Sequence, residues 1–293
     1  MDILLQPRQP FSFTSVMYSH GWIRLAPFRE DDDGASLHTL AVLRSGRVAD
    51  LHVSDAAGDV RVTTSAALDD AEIEEVTETV RWMLGLDQDL AAFYARCQHE
   101  PKLANAEREA KGRMLRSPTF FEDIVKTILT TNTSWSGTIR MVDALVGEYG
   151  EPLDESGERR AFPTPASLSR ANEPDLRNVA KLGYRAPYVL EFAQRTESGD
   201  LDPEVFKHSD LATLELRKRI LEIKGVGGYA AASLLMLLGR YDYLPVDSWA
   251  RKMVSQEWYD GQPVGEPEIQ AAFESWDEWK GLAYWFWEWD DTP

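Results

Sequence analysis

The residue types that could do chemistry gather in residues 211–252. A glycine turn, Gly225-Val226-Gly227-Gly228, leads into an apolar stretch over 229–238, and Leu244-Pro245-Val246-Asp247-Ser248-Trp249 follows. Glycines let a chain reverse with φ > 0 and let a partner approach the backbone closely. The free N–H groups that open the next helix can bind a phosphate, and such a contact positions a duplex without reading its sequence. On Gly-Val-Gly alone, an ordinary helical hairpin with a glycine cap is the commoner explanation. Asp247 has two readings as well. An aspartate just before a helix is ordinarily an N-cap, whereas a carboxylate beside a sugar can stabilise positive charge developing there.

Helices must position these groups. Leu214, Leu221 and Ile223 read as one helix ending at Lys224, so residues 214–238 form a helix–hairpin–helix. Arg251 and Lys252 fall in the first turns of the helix after Asp247. Upstream the period differs. Residues 22–28, 40–43, 48–53 and 60–64 read as strands from their β-branched and aromatic content. From Leu68, Ile73, Val76, Val80 and Met83 recur at helical spacing, with Asp69 and Asp70 at the favourable end of the helix dipole. The expected fold class is α+β. A small β-rich N-terminal domain with trailing helices (1–100) precedes a two-lobed all-helical part (101–293), and the clearest internal break is the acidic loop 151–165.

Composition bounds the function. The chain has 293 residues, a net charge of −18 and one cysteine, Cys97. The length is ample for a buried core. One cysteine excludes an internal disulfide and four-cysteine zinc or iron–sulfur sites, and the five histidines show no ligand spacing, so no catalytic metal is expected. No leader-like segment or long apolar run is visible, so an intracellular protein is expected, cytoplasmic and nucleoid-associated if prokaryotic. The total charge argues against nucleic acid. The segments differ, however: residues 1–100 carry −9, 101–250 carry −2 and 251–293 carry −7. A local cationic face near Arg185, Lys224, Arg251 and Lys252 is compatible with this, and undamaged duplex should then bind weakly, with a salt slope of only a few phosphates.

The glycine turn, the apolar helix and Leu-Pro-Val-Asp twenty residues after the turn together resemble the helix–hairpin–helix (HhH-GPD) DNA glycosylase superfamily. Phe162-Pro163-Thr164-Pro165, Leu182-Gly183-Tyr184-Arg185-Ala186 and Arg116-Ser117-Pro118 leading into Thr131-Asn132-Thr133 extend the likeness over residues 70–290. More weakly, the β-rich start resembles that of bacterial 3-methyladenine DNA glycosylase II and 8-oxoguanine DNA glycosylase.

The resemblance implies hydrolysis of the N-glycosidic bond of a damaged base flipped out of double-stranded DNA. Asp247 would stabilise the charge on the sugar and orient water. Relatives with lyase activity carry a lysine two residues after the second glycine, where this chain has Tyr229, so a monofunctional enzyme is expected. Gly225, Val226, Gly227, Gly228, Arg185 and Arg251 would contact DNA. Asn132, Thr133 and Tyr184 would fill or wedge the gap left by the base, although Tyr184 also suits plain packing at a helix start. Tyr229 and Trp287 are the base-pocket candidates, on the premise that Trp285 and Trp289 share one helical face and Trp287 another; the other view makes most of these rings a hydrophobic seal. The expected substrate is an alkylated purine, whose cationic ring gains about 1–2 kcal/mol over an aromatic face. Gly137 stands where 8-oxoguanine enzymes carry a second arginine for the opposite base. The resemblance also implies a monovalent cation, K⁺ or Na⁺, on hairpin oxygens near Ile223 and Val226. A monomer is expected. An 8-oxoguanine-type glycosylase, a noncatalytic damage-specific DNA-binding module and a protein-binding helical module are the alternatives.

Overall fold

A computed structural model describes residues 1–32 and 34–289. The fold is α+β, with one five-stranded sheet near the N-terminus and helices thereafter. The chain forms two compact units, each built from separated segments: residues 1–88 with 113–208, and residues 89–112 with 209–293.

The first unit holds the sheet. Strands β1 (Asp2–Leu5), β2 (Arg29–Glu30), β3 (Ser36–Val42), β4 (Val48–Ala56) and β5 (Asp59–Thr64) pair antiparallel in the order β1-β5-β4-β3-β2. Side chains alternate between faces. Leu37, Leu51, Val53, Val60 and Val62 are buried, and His38 lies directly opposite His52 on the half-exposed face. Helix Asp70–Leu84 follows. Asp69 and Glu72 close a capping box at its start, and Val76, Val80 and Met83 are buried on one stripe.

Residues 22–28 are not a strand. Gly21–Arg24 is a 3₁₀ turn, and Trp22, Ile23, Leu25 and Phe28 are all buried, so the two-face alternation of a strand is absent. The segment is spent on side-chain anchoring: the Trp22 indole N–H donates to Asp123 Oδ1 at 2.8 Å. Asp123 belongs to the buried helix Phe120–Thr130. One turn along that helix, Lys126 pairs with Glu122 at 2.6 Å and lies over the Phe28 ring at 4.6 Å. A pair this deeply buried is costly to break, because either charge left alone would be uncompensated.

The second unit is helical. It contains helices Ala91–Cys97, Thr213–Leu221, Gly228–Leu237, Ser248–Trp258, Glu266–Ala272 and Lys280–Phe286. Helix Gly228–Leu237 is apolar nearly all round and runs through the core, with Ala230, Ala231, Leu234, Leu235 and Met236 buried. No described helix is long and apolar enough to cross a membrane.

Candidate active site

Two clusters of the expected residues form, one within each unit. In the second unit, helices Thr213–Leu221 and Gly228–Leu237 are joined by the glycine turn. Gly225 has φ +88°, a conformation that side chains resist, and the Val226 N–H donates to the Ile223 carbonyl oxygen at 3.1 Å to close the turn. Gly227 serves a different purpose. Its φ of −97° suits any residue, and a Cβ there would meet no protein atom within 4 Å. Gly227 and Gly228 therefore present bare backbone to solvent at the start of a ten-residue helix. That arrangement suits an approaching anion.

Asp247 caps helix Ser248–Trp258. Its Oδ1 accepts from the Ala250 N–H at 2.8 Å, which fixes the carboxylate orientation, and the residue remains exposed. Capping and charge stabilisation are thus compatible, since one oxygen serves the helix and the carboxylate as a whole still faces solvent. Arg251 is exposed one turn later and reaches the Val264 carbonyl oxygen at 3.3 Å.

Tyr284 belongs to the same cluster and escaped sequence reasoning. Burial first, then the nearby Asp247 carboxylate and Tyr229 phenol, push its own phenol well above the ordinary tyrosine range. It therefore keeps its proton at any working pH. Its sequence signal is a lone tyrosine among the tryptophans of residues 276–289. Exposed Trp249 packs edge-on against Tyr284 at 6.1 Å. Tyr229 is half-buried in the first turn of helix Gly228–Leu237.

The premise about the tryptophans fails. Helix Lys280–Phe286 ends before Trp287, so helical spacing does not govern residues 287–289. Trp287 and Trp289 instead join one aromatic cluster with Trp258 and Phe273, at ring distances of 5.2–6.4 Å. Trp287 is buried there, and its indole N–H has no partner among the described residues.

In the first unit, Asn132 and Thr133 are exposed on the loop between helices Phe120–Thr130 and Trp135–Tyr149. Asn132 has φ +47° and its side-chain amide lies 3.4 Å from the Tyr184 hydroxyl. Tyr184 is 46% exposed, so it is not a packed core aromatic. Arg185 differs from expectation. It is buried, its guanidinium donates to the Thr131 and Asn132 carbonyl oxygens, and it stacks on the Tyr184 ring at 4.4 Å. In this conformation it faces the loop from beneath and does not face solvent. Gly137 lies in the first turn of helix Trp135–Tyr149, where a Cβ would collide with Thr133 Oγ1. A larger residue there would displace the Thr133 side chain.

Residues 125–279 match the family model described as the HhH-GPD superfamily base excision DNA repair protein. The chain is 24% identical over 177 residues to a DNA-3-methyladenine glycosylase of Bacillus subtilis, covering 59% of this chain and 58% of that protein. A solved 3-methyladenine DNA-glycosylase from Archaeoglobus fulgidus superposes with a TM-score of 0.77 at 19% identity, covering 98% and 97% of the two chains. The apo form of the Clostridium acetobutylicum 8-oxoguanine glycosylase/lyase gives 0.76 at 20% identity, covering 97% and 94%. At these identities the likeness is one of fold, over 98% and 97% of this chain.

Proposed function

Because the chain belongs to the HhH-GPD superfamily of base-excision DNA repair proteins, we propose that it is a DNA glycosylase acting on alkylated purines in duplex DNA. The observation that carries this reading is Asp247: an exposed carboxylate, oriented by the Ala250 N–H, in one unit with a hairpin whose glycines leave backbone bare. The C1′–N bond of the flipped nucleotide breaks and its electron pair leaves with the base. The Asp247 carboxylate stabilises the positive sugar and orients the water whose oxygen bonds to C1′. The attacking water loses its proton to solvent, and the alkylated base, cationic in the nucleotide, departs neutral with the electron pair, leaving an abasic site. Gly225, Val226, Gly227 and Gly228 contact a phosphate, aided by Arg251. Tyr184 wedges between bases, and Asn132 and Thr133 fill the gap.

The reading is monofunctional. A Schiff base needs an amine at the sugar, and Tyr229 supplies a phenol. Tyr229, half-buried in the first turn of helix Gly228–Leu237, and Trp287, whose buried indole N–H lacks a partner among the described residues, are the base-pocket residues of this reading. Alkylated purines are favoured over 8-oxoguanine because Gly137 and Tyr229 replace an opposite-base arginine and a lysine, and because the Bacillus and Archaeoglobus proteins are 3-methyladenine enzymes. The reading includes a monomer, and a K⁺ or Na⁺ ion held by hairpin carbonyl oxygens. The Ile223 oxygen accepts one internal hydrogen bond, which leaves a second lone pair for such an ion.

Single-lesion duplexes carrying 3-methyladenine, 7-methylguanine, hypoxanthine, uracil or 8-oxoguanine, scored for base release, test the activity and its range. Borohydride in the same reactions should trap no covalent adduct. Tight binding to a lesion without base release from any duplex would support the noncatalytic module instead.

A further inference from the structure

The sheet carries a second cluster of chemically active side chains, remote in sequence from the glycine turn and Asp247. His38 on β3 and His52 on β4 are directly opposite in the strand register, with ring centroids 4.5 Å apart. Asp31, just after β2, reaches both. Its Oδ1 lies 2.6 Å from His38 Nε2 and its Oδ2 lies 3.4 Å from His52 Nε2. One donor atom from each residue falls within 4.8 Å of the other two.

We propose that Asp31, His38 and His52 form a binding site for a divalent transition-metal ion of the Zn²⁺ class. Two imidazoles and a carboxylate are the donor set such ions prefer, whereas Mg²⁺ and Ca²⁺ favour all-oxygen cages. Size agrees. Donor atoms about 2.0–2.1 Å from a tetrahedral ion lie about 3.3 Å from one another. His52 Nε2 stands 3.4 Å from Asp31 Oδ2, close to that value, and His38 Nε2, 2.6 Å from the other carboxylate oxygen, Oδ1, needs to open by less than about 1 Å. Three protein ligands leave one position for water.

The supporting residues favour the same geometry. The Ser36 hydroxyl donates to Asp31 Oδ2 and fixes the carboxylate plane, the kind of outer contact that orients a metal ligand. The turn that carries Asp31 is closed by the Gly34 N–H donating to the Asp31 carbonyl oxygen at 2.8 Å. All three side chains are partly exposed, at 29%, 36% and 43% for His38, His52 and Asp31, so an ion has a path from solvent. Arg29 is the opposing charge, because it pairs with His38 in the β2–β3 register; exposed Asp32 lies beside Asp31 on the other side of the balance. An ion here would clip the β2–β3 turn to β4. It would therefore stabilise the N-terminal sheet, and no step of base release passes through it.

The experiment uses the full chain without a polyhistidine tag, stripped with chelator. Co²⁺ is titrated as the spectroscopic probe and Zn²⁺ as its competitor. One saturable equivalent of Co²⁺ with visible absorption, displaced by Zn²⁺, is expected, as is a Zn²⁺-dependent rise in thermal midpoint. His38→Gln and His52→Gln should each weaken binding at least tenfold and leave base release unchanged. On the unmodified chain, Zn²⁺ should protect His38 and His52 from diethylpyrocarbonate while leaving exposed His99 and His208 reactive, a readout that needs no variant to fold. Absence of saturable binding, unchanged affinity in both His38→Gln and His52→Gln, or no selective protection would overturn the site and leave a hydrogen-bonded polar cluster.

Discussion

Asn132 holds a left-handed backbone conformation while the Arg185 guanidinium donates to its carbonyl oxygen at 3.2 Å. A non-glycine residue in that conformation costs about 1–2 kcal/mol and persists only where its surroundings over-determine it. Arg185 supplies that determination by also holding the Thr131 carbonyl oxygen. Arg185→Ala should therefore lower stability by about 2–3 kcal/mol, since two hydrogen bonds from a charged donor are lost, and should reduce base extrusion as well. Tyr184→Ala should lower extrusion with a smaller loss of stability, because Tyr184 is 46% exposed. Urea unfolding and the fluorescence of 2-aminopurine beside the lesion separate the two effects. Equal stability of both variants would dissociate Arg185 from the loop.

The two outer glycines of Gly225-Val226-Gly227 should fail in different ways. Gly225→Ala forces a Cβ into φ +88° and should cost about 1–2 kcal/mol of stability. Gly227→Ala meets no protein atom and should change stability by less than about 1 kcal/mol. It should nevertheless weaken duplex binding, because the methyl group occupies the space that a phosphate would enter. Paired measurements of unfolding and of DNA affinity check this, and unchanged affinity in Gly227→Ala would remove the hairpin from the DNA contact.

His20 makes stability fall in acid. Burial drives its pKa down to about 4, with the bond between its Nε2 and the Leu115 carbonyl oxygen acting in the opposite direction. The unfolded chain, with an ordinary histidine, binds the proton more readily between about pH 6.5 and 4. Stability is thus fully present above that window and falls as pH drops through it, by up to about 3 kcal/mol from this residue. His20→Gln should remove this contribution, so that the stability difference between variant and wild type shifts in the variant's favour from pH 7.5 through 6 to 5 in urea titrations. Parallel curves for the two proteins would contradict the assignment.

Local features were legible in the sequence where one element decides them. The helix over 70–84 follows from its period and from Asp69, and β4 and β5 follow from alternating burial that their residue types announce, whereas β3, buried on both faces, begins at Ser36, four residues before the stretch its residue types mark. The glycine turn and the cap at Asp247 are likewise local. Contacts between remote segments were not legible. Residues 22–28 have strand composition, but the distant partner Asp123 holds Trp22 in a 3₁₀ turn. Burial of Arg185 depends on carbonyl oxygens more than fifty residues earlier. Tyr284 beside Asp247, the end of the helix before Trp287, and the meeting of His38 with His52 all depend on tertiary packing or register, and residue spacing carries no trace of them.

The central claim is that the Asp247 carboxylate carries base release. Single-turnover excision by wild type and Asp247→Asn, on whichever lesion the wild type releases, tests it most directly when read beside duplex affinity. Asparagine keeps a side-chain oxygen for the Ala250 N–H but removes the charge. The expected result is a fall in release of about 100-fold or more with affinity retained. Release at the wild-type rate would contradict the account.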